Sequence, residues 1–252
     1  MTSKLQKDAL GTRLKEAYEK PQTSITLMPN LPIIIRLDGR GFSKFTKPLQ
    51  RPYDERFLKL MQHVTQSLVK EYNCKIGYTQ SDEISLVMFN NYLTPCVFNG
   101  KLQKLISTIS SYATAIFYTC FQDFFKQTVL EYCEQNSLSN LATFDCRIFN
   151  VPSIGEATNA LYWRYLDCTK NSVSMVAQSQ FTHASLQNKS TSQMLDKLKV
   201  EKNIDFYTAY LPEFIYGSFY KKEELLEFSK YISFSRDLHN LTHKDREVLF
   251  FI

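Results

Sequence analysis

Four short apolar segments separated by two helical ones constrain this chain more than any other feature of its 252 residues. Residues 32–37 read Pro-Ile-Ile-Ile-Arg-Leu, a β-branched run that halts at Asp38-Gly39, as a buried strand ending in a turn does. Residues 54–72 follow the helical period, with Phe57, Leu60, Met61, Val64, Leu68 and Val69 on one face and Asp54 placed as N-cap. Residues 75–79 and 84–89 are strand candidates around the polar tip Gln80-Ser81-Asp82-Glu83, the pattern of a hairpin. A long helix at 101–125 and a strand at 144–150, closed by Pro152, complete the series. The order β-α-β-β-α-β is that of the split βαβ unit and predicts an α+β, ferredoxin-like fold with its strands in the order 4-1-3-2.

Two regions flank this unit. Residues 10–19 have helical composition and meet Pro21, which helps to stop a helix. Beyond residue 152 the chain reads as mostly helical, most clearly at 156–180 and 192–202, followed by an aromatic stretch at 206–220 and a last helix near 221–231. The expected organisation is a sheet-bearing domain with an N-terminal helix over residues 1–152 and a helical C-terminal region over 153–252 packed on it.

In that strand order the first and third strands are antiparallel neighbours, and the chain leaves the first at the edge where the hairpin turns. Asp38 is thereby brought beside Asp82 and Glu83. Carboxylates packed together repel, and one takes up a proton unless a cation neutralises them. Mg2+ suits such a pair because it binds carboxylate oxygens, water and phosphate. Two such ions can clamp the attacking and leaving oxygens of a phosphoryl transfer. The turn Gly39-Arg40-Gly41 allows close approach of backbone to phosphate. Singly these features are common, since Asp-Gly-Arg turns end many strands and acids on hairpin tips are usually just solvated. Their meeting on one edge of a palm of the polymerase and cyclase type is what gives them meaning.

The net charge of +5 permits a polyanionic partner and is equally compatible with an ordinary basic protein. Six cysteines, with no C-x-x-C pair, read as reduced core residues of an intracellular protein. His239 and His243 stand one helical turn apart with no third ligand in view, which reads as a solvent-facing pair rather than a metal site. The N-terminus lacks the apolar core of a signal peptide. The most apolar stretch, 105–125, is broken by serines and reads as a buried helix rather than a membrane span.

Arg36-Leu37-Asp38-Gly39-Arg40-Gly41-Phe42-Ser43-Lys44-Phe45, followed by Gln80-Ser81-Asp82-Glu83-Ile84-Ser85, closely resembles the tRNA-histidine guanylyltransferase family, whose members extend RNA in the 3′-to-5′ direction. Residues 10–19 (Leu-Gly-Thr-Arg-Leu-Lys-Glu-Ala-Tyr-Glu) resemble the family's N-terminal Gly-Asp-Arg-Met-Lys-x-Tyr-Glu motif, with Thr12 in place of Asp. Tyr162-Trp163-Arg164-Tyr165-Leu166-Asp167-Cys168 resembles its Trp-Arg-x-x-Asp segment. The resemblance covers roughly residues 10–220.

The resemblance implies two Mg2+ ions on Asp38, Asp82 and the Gly39 carbonyl, with Glu83 supporting the catalytic acids. It implies a triphosphate cradled by Arg40, Gly41, Phe42 and Ser43, with Arg51, Asp54 and Ser81 also contacting the nucleotide. It places Arg13, Lys15, Arg164, Lys170, Asn171 and Lys189 against RNA or triphosphate. ATP or GTP would activate a 5′ end, and the 3′-hydroxyl of an incoming nucleotide would then attack it. Where the family's tRNA-histidine enzymes carry His-Ile-Asn-Asn, this chain has Thr169-Lys170-Asn171-Ser172. That form resembles the guanylyltransferase-like branch, which repairs truncated tRNA 5′ ends against a template. The alternatives are a dedicated tRNA(His) guanylyltransferase and a non-catalytic tRNA-binding protein. The expected partners are tRNA and nucleoside triphosphates, with no membrane, in a homotetramer. The expected location is the cytoplasm, the mitochondrion being the alternative. The aromatic residues Phe206, Tyr207, Tyr210, Phe214, Tyr216, Phe219 and Tyr220 fit a core or subunit interface better than base stacking.

Overall fold

The computed structural model describes residues 9–89, 96–139, 141–224 and 229–252. The β-branched run forms β1 (Ile33–Arg40), which continues through Asp38 and Gly39 instead of ending before them. Asp54 caps α1 (Glu55–Glu71) by accepting from the Arg56 amide at 3.0 Å. The hairpin is β2 (Ile76–Gln80) and β3 (Glu83–Met88), joined by a turn at Ser81-Asp82 in which Ser81 takes the left-handed conformation, φ 47°. Next come α2 (Leu102–Phe125) and β4 (Thr143–Asn150). The capping Ser153 starts α3 (Ile154–Gln180), and a capping box built by Ser190 and Gln193 starts α4 (Thr191–Lys202).

The sheet contains the expected order β4-β1-β3-β2 and then continues with β5 (Ser218–Glu224) and β6 (Ser229–Phe234), giving six strands. Over its described residues, the helix expected near 221–231 is instead the end of β5 and the start of β6. Lys221-Lys222-Glu223 reads as the solvated face of a helix, but Phe219 and Tyr220 favour a strand, and the edge of β2 offers a row of backbone partners from Ile76 to Thr79. Lys221 becomes buried and its ammonium donates to the Leu249 carbonyl of α5 (His243–Phe251) at 3.1 Å. The sheet thus runs across the expected division at residue 152.

The N-terminal helix also departs from expectation, since it passes Pro21 and ends at Thr23. A π-turn over Lys15–Glu19 widens the helix just before the proline, a place where a missing amide donor is tolerated. His239 and His243 do not share a helix. His239 lies in the loop before α5, its Nδ1 2.8 Å from Asp237 Oδ1, and His243 begins α5.

Two layers of helix enclose the sheet. On one face, Ile33, Ile35 and Leu37 pack against α1 and α2 in a core crowded with phenylalanine. On the other, Ile34, Ile76, Tyr78 and Val87 meet Leu161 and Tyr165 of α3 and Phe250 of α5. Because strand residues alternate between faces, Arg36 and Asp38 fall on the α3 side with Ile34. All six cysteines are free thiols, five of them buried. Among the described residues no helix is long and apolar enough to cross a membrane.

Candidate active site

The β1–β3 register pairs Leu37 with Ile84, so Asp38 reaches the start of β3 where Asp82 and Glu83 stand. Gly39 makes the convergence possible. A Cβ at that position would lie 2.7 Å from the Asp82 Cβ and would press on its carboxylate and on the Phe42 ring. The missing side chain therefore lets the two chains close up. Burial pushes the Asp82 carboxyl above its usual value, the Asp38 charge adds to the rise, and hydrogen bonds from its own amide and the Ser81 hydroxyl only partly offset it. A half-buried acid beside a second acid, and unpaired with any cation among the described residues, is an anionic centre awaiting positive charge.

Glu83 has a different fate. Burial raises its carboxyl, and Arg164 works against that by reaching both oxygens, with Nη2 2.6 Å from Oε2. The same Nη2 donates to Asp167 at 2.8 Å. The side chains of Arg164 and Glu83 are each 12% exposed, so this pair is a clamp joining α3 to the hairpin. Arg164, expected at RNA or triphosphate, is occupied by these two acids.

A cavity of about 460 Å3 opens beside the acids. Asp38, Asp82, Glu83, Ser81, Arg51, Asp54, Arg164 and Asn171 line it, together with Tyr53, Gln62, Ser172 and Gln178. Tyr53 is stacked on Phe214 with ring centroids 4.3 Å apart, giving the cavity an aromatic wall. Asp54 is taken up by its own helix: burial would raise its carboxyl, but hydrogen bonds from Arg56, whose Nη2 is at 2.7 Å, outweigh burial and hold it low. Asn171 donates to Asp167 at 3.1 Å, and Ser172 is buried against the Ile215 carbonyl at 3.3 Å.

Other expected contacts fall outside this cavity. Arg40, Gly41 and Ser43 do not line it. Gly41, at φ +84°, opens a one-turn helix, Phe42–Phe45. Phe42 is 1% exposed and packs its ring 5.2 Å from Phe117, so only its backbone can serve a ligand. Arg13 and Lys15 sit exposed on the N-terminal helix, and Lys170 and Lys189 are exposed on and beyond α3, none of them on the cavity wall. The aromatic residues after 206 divide as expected towards core: Phe206, Phe214 and Phe219 are buried, while Tyr207 is exposed.

Two cations escaped the sequence reading. Arg147 of β4 lies opposite Arg36, and its Nη2 is 3.9 Å from Asp38 and 3.5 Å from Asp145. Alternation along β1 from Asp38 back to Arg36, carried to the neighbouring strand, is the signal that finds them. Among the described residues no three His, Cys, Asp or Glu side chains form a metal cage by themselves. A pair of acids on a palm-type antiparallel sheet, beside a cavity of nucleotide size, is the arrangement of a nucleotidyltransferase.

Comparison with known proteins narrows that class. Residues 12–152 match a family model described as tRNAHis guanylyltransferase. An uncharacterised protein of Acanthamoeba polyphaga mimivirus is 31% identical over 215 residues, covering 78% of this chain and 72% of that protein. The tRNA(His) guanylyltransferase of Neurospora crassa is 34% identical over 160 residues, covering 62% of this chain and 50% of that protein, so the chain spans about half of that enzyme's length. A bacterial tRNA(His) guanylyltransferase-like protein solved in complex with ATP superposes with a TM-score of 0.78 at 30% identity, covering 96% of this chain and all of that one. A second such structure, in complex with GTP, gives a TM-score of 0.68 at 27% identity, covering 89% of this chain and 90% of that one. The chain belongs to the tRNA(His) guanylyltransferase family of nucleotidyltransferases.

Proposed function

We propose that this protein adds nucleotides to the 5′ end of truncated tRNA in the 3′-to-5′ direction, choosing each by pairing with the opposite strand. The observation that carries the reading is the convergence of Asp38 and Asp82 on the wall of a nucleotide-sized cavity. The donor set fits divalent magnesium: two carboxylates and the Gly39 carbonyl are hard oxygen ligands, one carboxylate is raised by burial and by its neighbour, and phosphate and water complete such a shell. When bound, the metal would supply positive charge to acidify a hydroxyl nucleophile and to stabilise a phosphate leaving group.

The chain's own groups do the rest. The cavity seats the base and ribose of a nucleoside triphosphate, ATP or GTP for activation and any of the four for extension, with Tyr53 on one wall and the amides of Gln62, Asn171 and Gln178 to orient it. Arg147, half-exposed beside Asp38, suits phosphate oxygens of the RNA end. The Arg164–Glu83 clamp fixes α3 over the site so that both substrates meet in one geometry. The sequence Thr169-Lys170-Asn171-Ser172 in place of His-Ile-Asn-Asn supports template-directed repair; the similarity to tRNA(His) guanylyltransferases supports a second reading, addition of a single guanosine to histidine tRNA.

Incubating the protein with 5′-truncated tRNAs, Mg2+ and each nucleotide in turn, while permuting the opposing base, separates the two. Templated repair gives incorporation that follows the opposing base and is lost in Asp38→Asn. Incorporation of guanosine whatever base stands opposite, on histidine tRNA alone, overturns it.

A further inference from the structure

The chain's one tryptophan is 54% exposed on α3, although an indole is among the side chains that gain most from burial. Its surroundings are built. The Arg164 guanidinium carbon lies 4.6 Å from the ring centroid of Trp163 and is held from behind by Glu83 and Asp167. The Arg36 guanidinium carbon approaches from β1 at 5.4 Å. Arg36 Nε is buried with no hydrogen-bond partner among the described residues, a state that costs stability unless something else gains from it. Two guanidinium groups on separate elements therefore fix the indole while leaving more than half of it open.

The position is as telling as the exposure. Arg36 is two residues before Asp38 on the same sheet face, and Arg164 grips the residue after Asp82. Trp163 is thus linked through Arg36 and Arg164 to both arms that carry the acids, yet it is not on the wall of the 460 Å3 cavity. A base stacked on it belongs to a different nucleotide from the one in that cavity. Arg147, its side chain 52% exposed on the neighbouring strand, adds the positive charge that a nucleic-acid end requires. Aromatic faces flanked by arginine bind unpaired bases with little regard to sequence, because every base has a π-face.

We infer that Trp163 is the stacking platform for the unpaired terminal base of an RNA whose 5′ end lies at Asp38. This rests on the proposed function above and names the residue that positions its RNA substrate. The sole tryptophan is its own reporter. RNA hairpins with one unpaired 5′ nucleotide are titrated, without nucleoside triphosphate, against the wild-type protein while its emission is followed, and the same hairpins with an abasic 5′ residue serve as comparison. Stacking predicts strong quenching by the base-bearing RNA, little by the abasic one, and binding about tenfold tighter for the former. Trp163→Ala, followed by labelled RNA, removes the difference between the two RNAs, and Trp163→Phe restores most of it. Equal quenching and equal affinity for both RNAs overturn the inference, and the abasic comparison decides it even if Trp163→Ala does not fold. Because no chemistry is required, base-dependent quenching by a protein that extends no RNA would reject the proposed activity and keep the platform. Extension without base-dependent quenching would do the reverse.

Discussion

Replacing Arg164 by alanine leaves the Glu83 carboxylate in a site where 12% of its side chain meets solvent, next to Asp38 and Asp82. Removing one partner of a buried, doubly hydrogen-bonded ion pair costs about 3–5 kcal/mol, because the survivor keeps its desolvation penalty and loses its partner. For a chain of this size that lowers Tm by roughly 6–20 °C. Arg164→Ala with Glu83→Ala removes both charges and returns much of the loss, so a double-mutant cycle gives a coupling of about 2 kcal/mol or more. The pair Lys20–Glu16 is the control: its side chains are 62% and 56% exposed, and such pairs couple by about 0.5 kcal/mol or less. Urea unfolding of the four proteins in each cycle, without metal or nucleotide, measures both. A coupling for Arg164 and Glu83 no larger than that for Lys20 and Glu16 refutes the clamp and returns Arg164 to the ligand-facing role read from the sequence.

Gly39→Ala forces a Cβ against the Asp82 side chain, 2.7 Å from its Cβ, so nucleotide addition falls at least about 100-fold in the extension assay while the protein still folds; near-normal activity would show that the two acids need no such close approach. Asp82→Asn separates stability from function. An acid raised in the folded state contributes stability that is complete below the ordinary aspartate value and is lost as pH rises through the folded value, so at neutral pH the ionised side chain is a burden. In chelator the Asn variant melts higher than the wild type at pH 7, the gap closes towards about pH 4, and extension is abolished; a variant melting lower at pH 7 contradicts the electrostatic account.

Much of this fold was legible because its determinants are local. The isoleucine run of β1, the 3.6-residue period of α1 and the polar tip between β2 and β3 each announce themselves within a few residues, and the split βαβ order then dictates that Asp38 and Asp82 meet. What escaped depends on partners distant in sequence. The described residues of 221–231 lie in strands because β2 presents an unpaired edge to β5, a fact about a distant part of the chain. Arg164 carries the look of a ligand-binding cation in its motif, yet its bonds go to Glu83, 81 residues away. Pairing of this kind is decided by packing angle and burial, which no spacing rule encodes.

The charge pattern of the cavity sharpens what its two aspartates are for. The chain carries a net charge of +5, but this cavity is lined by Asp38, Asp54, Asp82, Glu83, Asp167 and Glu213 against Arg51 and Arg164. Most of that negative charge is answered from within: Arg164 holds Glu83 and Asp167, and Arg56 holds Asp54. Glu213 stays partly open to water, which screens it. Among the described residues Asp38 has only the half-exposed Arg147 at 3.9 Å, and Asp82 has no cation. The internal pairing thus singles out one site where positive charge has to arrive with a ligand. A protein selected only for stability would have matched or removed that charge; on the proposed function, keeping it unmatched would let a metal-bearing nucleotide, on binding, stabilise the very arrangement that the reaction needs.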